Sequence, residues 1–254
     1  MEELTNRVRK LVASLDDPKV RDAEGLFVAE GTKCVLDTAG AFAPRWIFAT
    51  AAWTEAHGHD LRGSASITVV KRADLERMSH LSTPPQVMAV YERPVYEITP
   101  ADIAGRLVIA LDRLQDPGNL GTVMRVADWF GIDTIVCSHD TVNCFNPKVV
   151  QATMGAISRV KVVYTDLPEF LAQCGQTVYG TFLDGDIIYN SSLGDSGVIV
   201  MGNEGRGISD DVARHVDRRL YIPSFPALRP TSESLNVGTA TAITVAEFRR
   251  RQLS

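Results

Sequence analysis

Five runs of apolar residues set what the second half of this chain can become: LVIAL at 107–111, TIVCS at 134–138, VKVVY at 160–164, TVYGTFL at 177–183 and GVIVM at 197–201. Strands that are apolar on both faces need cover on both faces, which is the environment of a parallel sheet flanked by helices. Helical stretches at 147–156 and 167–173 stand between them. The segment PGNLGTVMRVADWFG, 117–131, adds a glycine-containing turn and a helix expected to close at Gly131.

Upstream the same alternation recurs in shorter pieces. LTNRVRKLVASL, 4–15, places Leu4, Val8, Leu11, Val12 and Leu15 at helical spacing, and Asp16, Asp17 and Pro18 stop it. Short apolar stretches follow at 26–29, 46–49 and 67–70, with helices between them, as far as Tyr91. ERPVYEITPAD, 92–102, carries two prolines among polar groups and reads as a boundary. The expectation is two α/β domains, residues 1–95 and 103–254.

No apolar run approaches the roughly 20 residues of a bilayer span. The opening MEELTNRVRK begins with acids and has no apolar segment, so no secretory signal is expected from it. Cys34, Cys137, Cys144 and Cys174 are widely spread and form no C-x-x-C pair, which argues against a disulfide framework or a structural zinc. These features predict a soluble, cytoplasmic protein without a metal. A net charge of −5 argues against non-specific coating of nucleic acid and leaves room for a local basic site. Arg7, Arg9, Lys10, Lys19 and Arg21 form one basic cluster and Arg249 to Arg251 another, and solvated helix faces are the default reading of both.

Three segments are candidates for chemistry. In LDRLQDPGNLGTVMRVADWFG, 111–131, Asn119 sits at a strand-to-helix turn and Arg125 lies six residues on. The turn suits an anion at a helix N-terminus, but G-x-G-x-x-G and G-K-[ST] are absent, which disfavours a dehydrogenase or an NTPase. In VMGNEGRGIS, 200–209, Glu204 stands in a loop almost stripped of side chains, with Arg125 as a plausible cation for it. In YIPSFPALRPTSESLNVGTATAITVAEFRRR, 221–251, Ser234 reads as the N-cap of a helix. The small residues from Gly238 to Ala242 then require something packed very close, such as a helix of a second subunit.

Taken in this order, N-L-G-T-x-x-R, G-N-E-G-x-G and I-P followed by S-L-N-V, the segments resemble the three motifs of the SpoU (TrmH) family of RNA ribose 2′-O-methyltransferases, of the SPOUT class. The likeness runs from Leu107 to about Leu253, and CFNPKVVQATMGA at 144–156 also resembles that family. The N-terminal KVRDAEGLFVAEG at 19–31 and STPPQVMAV at 82–90 are similar to its small substrate-binding domain. The resemblance implies a parallel α/β domain with a trefoil knot that binds S-adenosylmethionine, within a homodimer that shares its active site. Carried over by position, cofactor contacts fall at Gly202, Ile222 and Leu235, with Thr181 and Leu183 near the adenosine. One departure is the ten-residue spacer SFPALRPTSE before Ser234, longer than the family's usual one.

The same resemblance implies that Arg125 contacts the target hydroxyl or its phosphate, that Glu204 and Asn119 orient Arg125, and that Ser234 and Asn236 position the nucleotide. RNA recognition is expected from the N-terminal domain through Arg21, supported by Lys10 and Lys19. Ribosomal RNA is the expected substrate. The alternatives are transfer RNA, or an RNA-binding member of the fold that has lost catalysis.

Overall fold

Asp17 shows how locally the first elements are decided: its side chain accepts the Lys19 amide at 2.8 Å, and Pro18 occupies the first helical turn, where its missing N–H costs nothing. Asp16-Asp17-Pro18 therefore ends one helix and starts another. The computed structural model describes residues 4–61, 66–226 and 234–253. In chain order the elements are α1 (Asn6–Ala13), α2 (Pro18–Glu24), β1 (Leu26–Glu30), α3 (Thr32–Thr38), β2 (Pro44–Ala49), α4 (Ala51–His57), β3 (Ile67–Val69), α5 (Arg72–Met78) and β4 (Val87–Glu92). They continue as β5 (Leu107–Leu111), α6 (Pro117–Trp129), β6 (Thr134–Ser138), α7 (Pro147–Ala152), β7 (Lys161–Thr165), α8 (Leu167–Gln173), β8 (Val178–Ile187), β9 (Gly197–Met201), α9 (Asp210–Ala213), β10 (Arg218–Tyr221) and α10 (Val237–Gln252).

The chain divides into two units, Met1–Val95 with Asn143–Arg159, and Tyr96–Val142 with Val160–Ser254. The division differs from an uninterrupted second domain, because residues 143–159 pack on the first unit's sheet. That sheet has the order β1-β4-β2-β3, with β4 antiparallel to β1 and β2, and β3 parallel to β2. All five residues of β1 are buried. Leu26 and Val28 join Val12, Leu15 and Met78 on one face. On the other face Phe27 meets Phe42 at 5.0 Å and Phe145 at 4.7 Å between ring centroids, so Phe145 draws the 143–159 segment in.

In the second unit six strands, all paired in parallel, take the order β10-β8-β9-β5-β6-β7. The strands β5 and β9 are buried throughout, as continuous apolar runs require. Helix α10 lies on α6. A Cβ added at Gly238 would sit 2.7 Å from Thr122 Cγ2, so the close partner of that small-residue position is α6 of the same chain. Of the arginine run, Arg250 faces solvent, whereas Arg249 and Arg251 turn to backbone carbonyls. Arg249 Nε donates to the Phe130 carbonyl at 2.9 Å and Arg251 Nη2 to the Ile188 carbonyl at 3.0 Å, while Glu247, 6% exposed, pairs with Arg250 and Arg251. These groups satisfy carbonyls that helix ends leave open.

Candidate active site

The site grows from the C-terminal ends of the parallel strands, where an open α/β sheet collects its ligands. After β9 the chain makes a tight hairpin: Asn203 and Gly207 exchange both backbone hydrogen bonds, at 3.0 and 2.9 Å. A Cβ at Gly202 would lie 2.2 Å from the Gly207 carbonyl carbon, so glycine is demanded there by the hairpin's own backbone. Asn203 secures the turn. Its Oδ1 accepts the Gly205 and Arg206 amides, and its Nδ2 donates to the Arg113 carbonyl at 2.8 Å. Asp112, 2% exposed, accepts the Ser209 amide at 2.6 Å and fixes the far end of the loop.

Glu204 projects from this hairpin to α6. Asn119 Nδ2 donates to Glu204 Oε1 at 2.9 Å, and Asn236 Nδ2 donates to Asn119 Oδ1 at 2.8 Å. Asn119 is held by the turn that starts its helix, its amide bonded to Asp116 Oδ1 at 2.7 Å. Asn236, not Ser234, is the N-cap of α10, accepting the Thr239 amide at 3.2 Å. Ser234 and Leu235 are exposed just ahead of it. One hydrogen-bonded relay therefore joins three stretches far apart in sequence.

Arg125 does not join that relay. It lies six residues beyond Asn119, about 9 Å along the helix and about 240° around it. Its side chain is exposed, and no hydrogen bond or ion pair engages it among the described residues. Of the expected set in which Glu204 and Asn119 orient Arg125, the described residues join Asn119 and Glu204 to each other and leave Arg125 apart. Arg125 shares its helix face with Trp129, four residues on and 84% exposed.

On the other side of the hairpin lie the expected cofactor positions. The β8–β10 register jumps from Gly180 opposite Arg219 to Asp186 opposite Leu220, so residues 181–185 leave that ladder. Thr181 and Leu183 are in the displaced piece. Leu183 is 72% exposed and Leu235 47%, Ile222 is half-buried beyond β10, and Gly202 follows β9. Uncovered apolar side chains and backbone released from a ladder suit an adenosine held largely by main-chain groups, so the residues fit S-adenosylmethionine. Residues 227–233 of the long spacer lie outside the described residues.

In the first unit, Arg21 is corrected as an RNA contact. It is 2% exposed, and its Nη1 donates to the Leu15 and Asp16 carbonyls, both at 2.7 Å, tying down the turn between α1 and α2. Burial lowers its pKa. Lys10 and Lys19 are exposed. Asn203, Asp112 and Arg113 were missed by sequence reasoning, although an asparagine between glycines is a recognisable turn signal.

The profile of the SpoU rRNA Methylase family matches residues 106–246, and that of the MRM3-like substrate binding domain matches residues 6–89. The chain belongs to the SpoU rRNA methylase family. Among SpoU relatives it is similar to the 23S rRNA (guanosine(2553)-2′-O)-methyltransferase RlmP of Bacillus subtilis, 32% identical over 194 residues, covering 75% of each chain. A putative RNA methyltransferase of the TrmH family from Porphyromonas gingivalis shares its architecture with a TM-score of 0.86 and 36% identity, over 98% of this chain and 100% of that one. An AdoMet-bound rRNA methyltransferase from Sinorhizobium meliloti gives 0.84 and 27%, over 100% and 98%. The α/β architecture and the parallel sheet thus agree with the sequence reading.

Proposed function

We propose that this protein transfers a methyl group from S-adenosylmethionine to the 2′-hydroxyl of one ribose in ribosomal RNA. The observation that carries the reading is the Glu204–Asn119–Asn236 relay, which brings one residue of each sequence motif to a single spot. Bound S-adenosylmethionine would supply an electrophilic methyl on a sulfonium, held by Gly202, Ile222 and Leu235 with Thr181 and Leu183 beside the adenosine.

The protein's tasks are to align the hydroxyl in line with that methyl and to remove its proton. Glu204 is an acceptor fixed by Asn119, and Asn236 is fixed in turn through the same amide, so both groups meet a nucleotide without reorganising. Ser234 offers a hydroxyl on the exposed segment ahead of Asn236. Arg125 anchors the adjacent phosphate and polarises the hydroxyl, since a guanidinium keeps its proton at neutral pH.

Arg125 acts, in this reading, from the partner of a homodimer. Its lack of a partner among the described residues and its place beside Trp129 support that, as does Leu253, 89% exposed near the end of α10. Lys10 and Lys19 give the first unit its RNA contacts. The cofactor-binding segment is threaded as a trefoil knot, and the place of action is the cytoplasm. Four buried cysteines without a disulfide fit a reducing compartment. Among the described residues no helix is long and apolar enough to cross a membrane.

Calorimetric titration with S-adenosylmethionine, NAD and ATP, together with a map of 2′-O-methyl positions in total RNA with and without the gene, tests the proposal. Binding of S-adenosylmethionine alone and loss of one ribosomal position are expected. Unchanged maps, or binding of NAD instead, overturn it.

A further inference from the structure

A pocket of about 540 Å³ opens beside the Glu204 hairpin, lined by Arg113, Gln115, Asp140, Asn203 and Arg206. These residues follow β5, β6 and β9. The expected cofactor positions are Thr181 and Leu183 on β8, Gly202 after β9, Ile222 after β10, and Leu235, none of which lines this pocket. The pocket is therefore separate from the methyl-donor positions while sharing a wall with them.

Arg113 is built into this pocket at a cost. Its φ is 59°, a left-handed conformation that side-chain-bearing residues adopt only when their surroundings impose it. Two contacts impose it here: its N–H donates to Ser138 Oγ at 2.9 Å, and its carbonyl accepts from Asn203 Nδ2 at 2.8 Å. Asp112 Oδ1 forms an ion pair with Arg113 Nε at 3.4 Å, while its Oδ2 accepts the Ser209 amide. Nε itself is buried without a hydrogen-bond partner, and the terminal nitrogens have no acceptor among the described residues. Arg206 is tied through its backbone, to Asn203 Oδ1 at 3.1 Å, and its exposed guanidinium has no carboxylate partner among the described residues. The Gln115 side chain donates to the Asp140 carbonyl.

Arg206, without a carboxylate among the described residues, and Arg113, whose Nε is ion-paired with Asp112 while its terminal nitrogens are open, present two guanidinium groups to a pocket that also holds Asp140. Planar guanidinium forks recognise phosphate in pairs of hydrogen bonds, and the volume admits a nucleotide. We propose that Arg113 and Arg206 grip the phosphodiester of a nucleotide flanking the modified ribose, so that the RNA strand crosses the hairpin from this pocket to the methyl donor. The inference rests on the RNA methyltransferase reading.

The test uses the full-length protein with Arg206→Ala, Arg113→Gln and Arg113→Lys. Arg206 is exposed on the hairpin, so its variant folds even where Arg113→Gln does not. The expected result is a rise in KM for ribosomal RNA of about tenfold for Arg206→Ala and for Arg113→Gln, the usual loss for one charge-assisted hydrogen bond. Affinity for S-adenosylmethionine stays unchanged, Arg113→Lys recovers part of the loss, and the salt dependence of RNA binding weakens by about one counterion per arginine removed. An active wild-type enzyme whose Arg206→Ala variant keeps its RNA KM and salt slope overturns the inference alone. Equal losses of RNA and S-adenosylmethionine affinity also overturn it, because they make Arg206 a support of the hairpin. A wild-type protein that binds S-adenosylmethionine but methylates no RNA overturns the underlying reading and the inference with it.

Discussion

Asn119 donates its side-chain amide to Glu204 at 2.9 Å, and that single bond couples the turn after β5 to the hairpin after β9. Because Asn119 also accepts from Asn236, replacing it releases two polar groups at once. Asn119→Ala is expected to lower kcat by about 10- to 100-fold, the range for losing a hydrogen bond to a charged group. The relay is at the surface, so the melting temperature should hold, and steady-state kinetics beside a thermal melt checks both.

Gly202→Ala tests whether the hairpin is set by its own backbone. The added carbon has no room beside Gly207 and Ile208, so the loop must open and carry Glu204 away. Strain of this kind costs about 1–3 kcal/mol. Calorimetric affinity for S-adenosylmethionine and turnover should fall together.

How much of this was legible in the sequence depended on how local the cause was. The strands β6 and β9 have the predicted limits, because an apolar run between turn residues leaves little choice. The strand β10, RRLY, was hidden: two charged residues disguise it, and Arg219 is accommodated by stacking 3.5 Å over the Phe182 ring. Helix α2 was hidden because Pro18 reads as a stop when it is also a start. The motif residues Asn119, Glu204 and Asn236 were legible as a set, but their pairing was not, since the order of hydrogen bonds follows from the helix phase of Arg125. Arg21, Arg249 and Arg251 were misread because a cation that caps carbonyls looks, in sequence, like one that faces water.

Glu247 predicts an acid limit. Hydrogen bonding from Arg250, followed by Arg251, outweighs burial and holds its pKa at about 2, below the ordinary 4.5. A depressed carboxylate contributes stability above its unfolded pKa and loses it as the pH falls through the folded one. Stability should therefore decline between about pH 4.5 and pH 2. In Glu247→Gln that slope should be shallower, as urea unfolding across the range will measure.

His80 predicts the opposite sign. Its Nδ1 faces Glu30 at 3.1 Å and its Nε2 faces the Ala13 carbonyl at 3.1 Å, two acceptors that only an imidazolium satisfies together. Burial pulls its pKa down, yet the hydrogen bond and charge of Glu30 leave it raised above 6.5. Stability from this pair is complete below pH 6.5 and is lost as the pH rises through the folded value. His80→Gln should flatten the alkaline side of the melting-temperature profile.

Alkali resistance of the product tests the central claim most directly. Alkaline cleavage of RNA needs a free 2′-hydroxyl, so a ribose methylated there protects its own 3′ linkage. Radiolabelled methyl groups transferred from S-adenosylmethionine to ribosomal RNA lacking the modification should be recovered in alkali-stable dinucleotides, and Arg125→Ala should abolish the label. Label recovered in mononucleotides, or no transfer by the wild-type protein, would contradict the account.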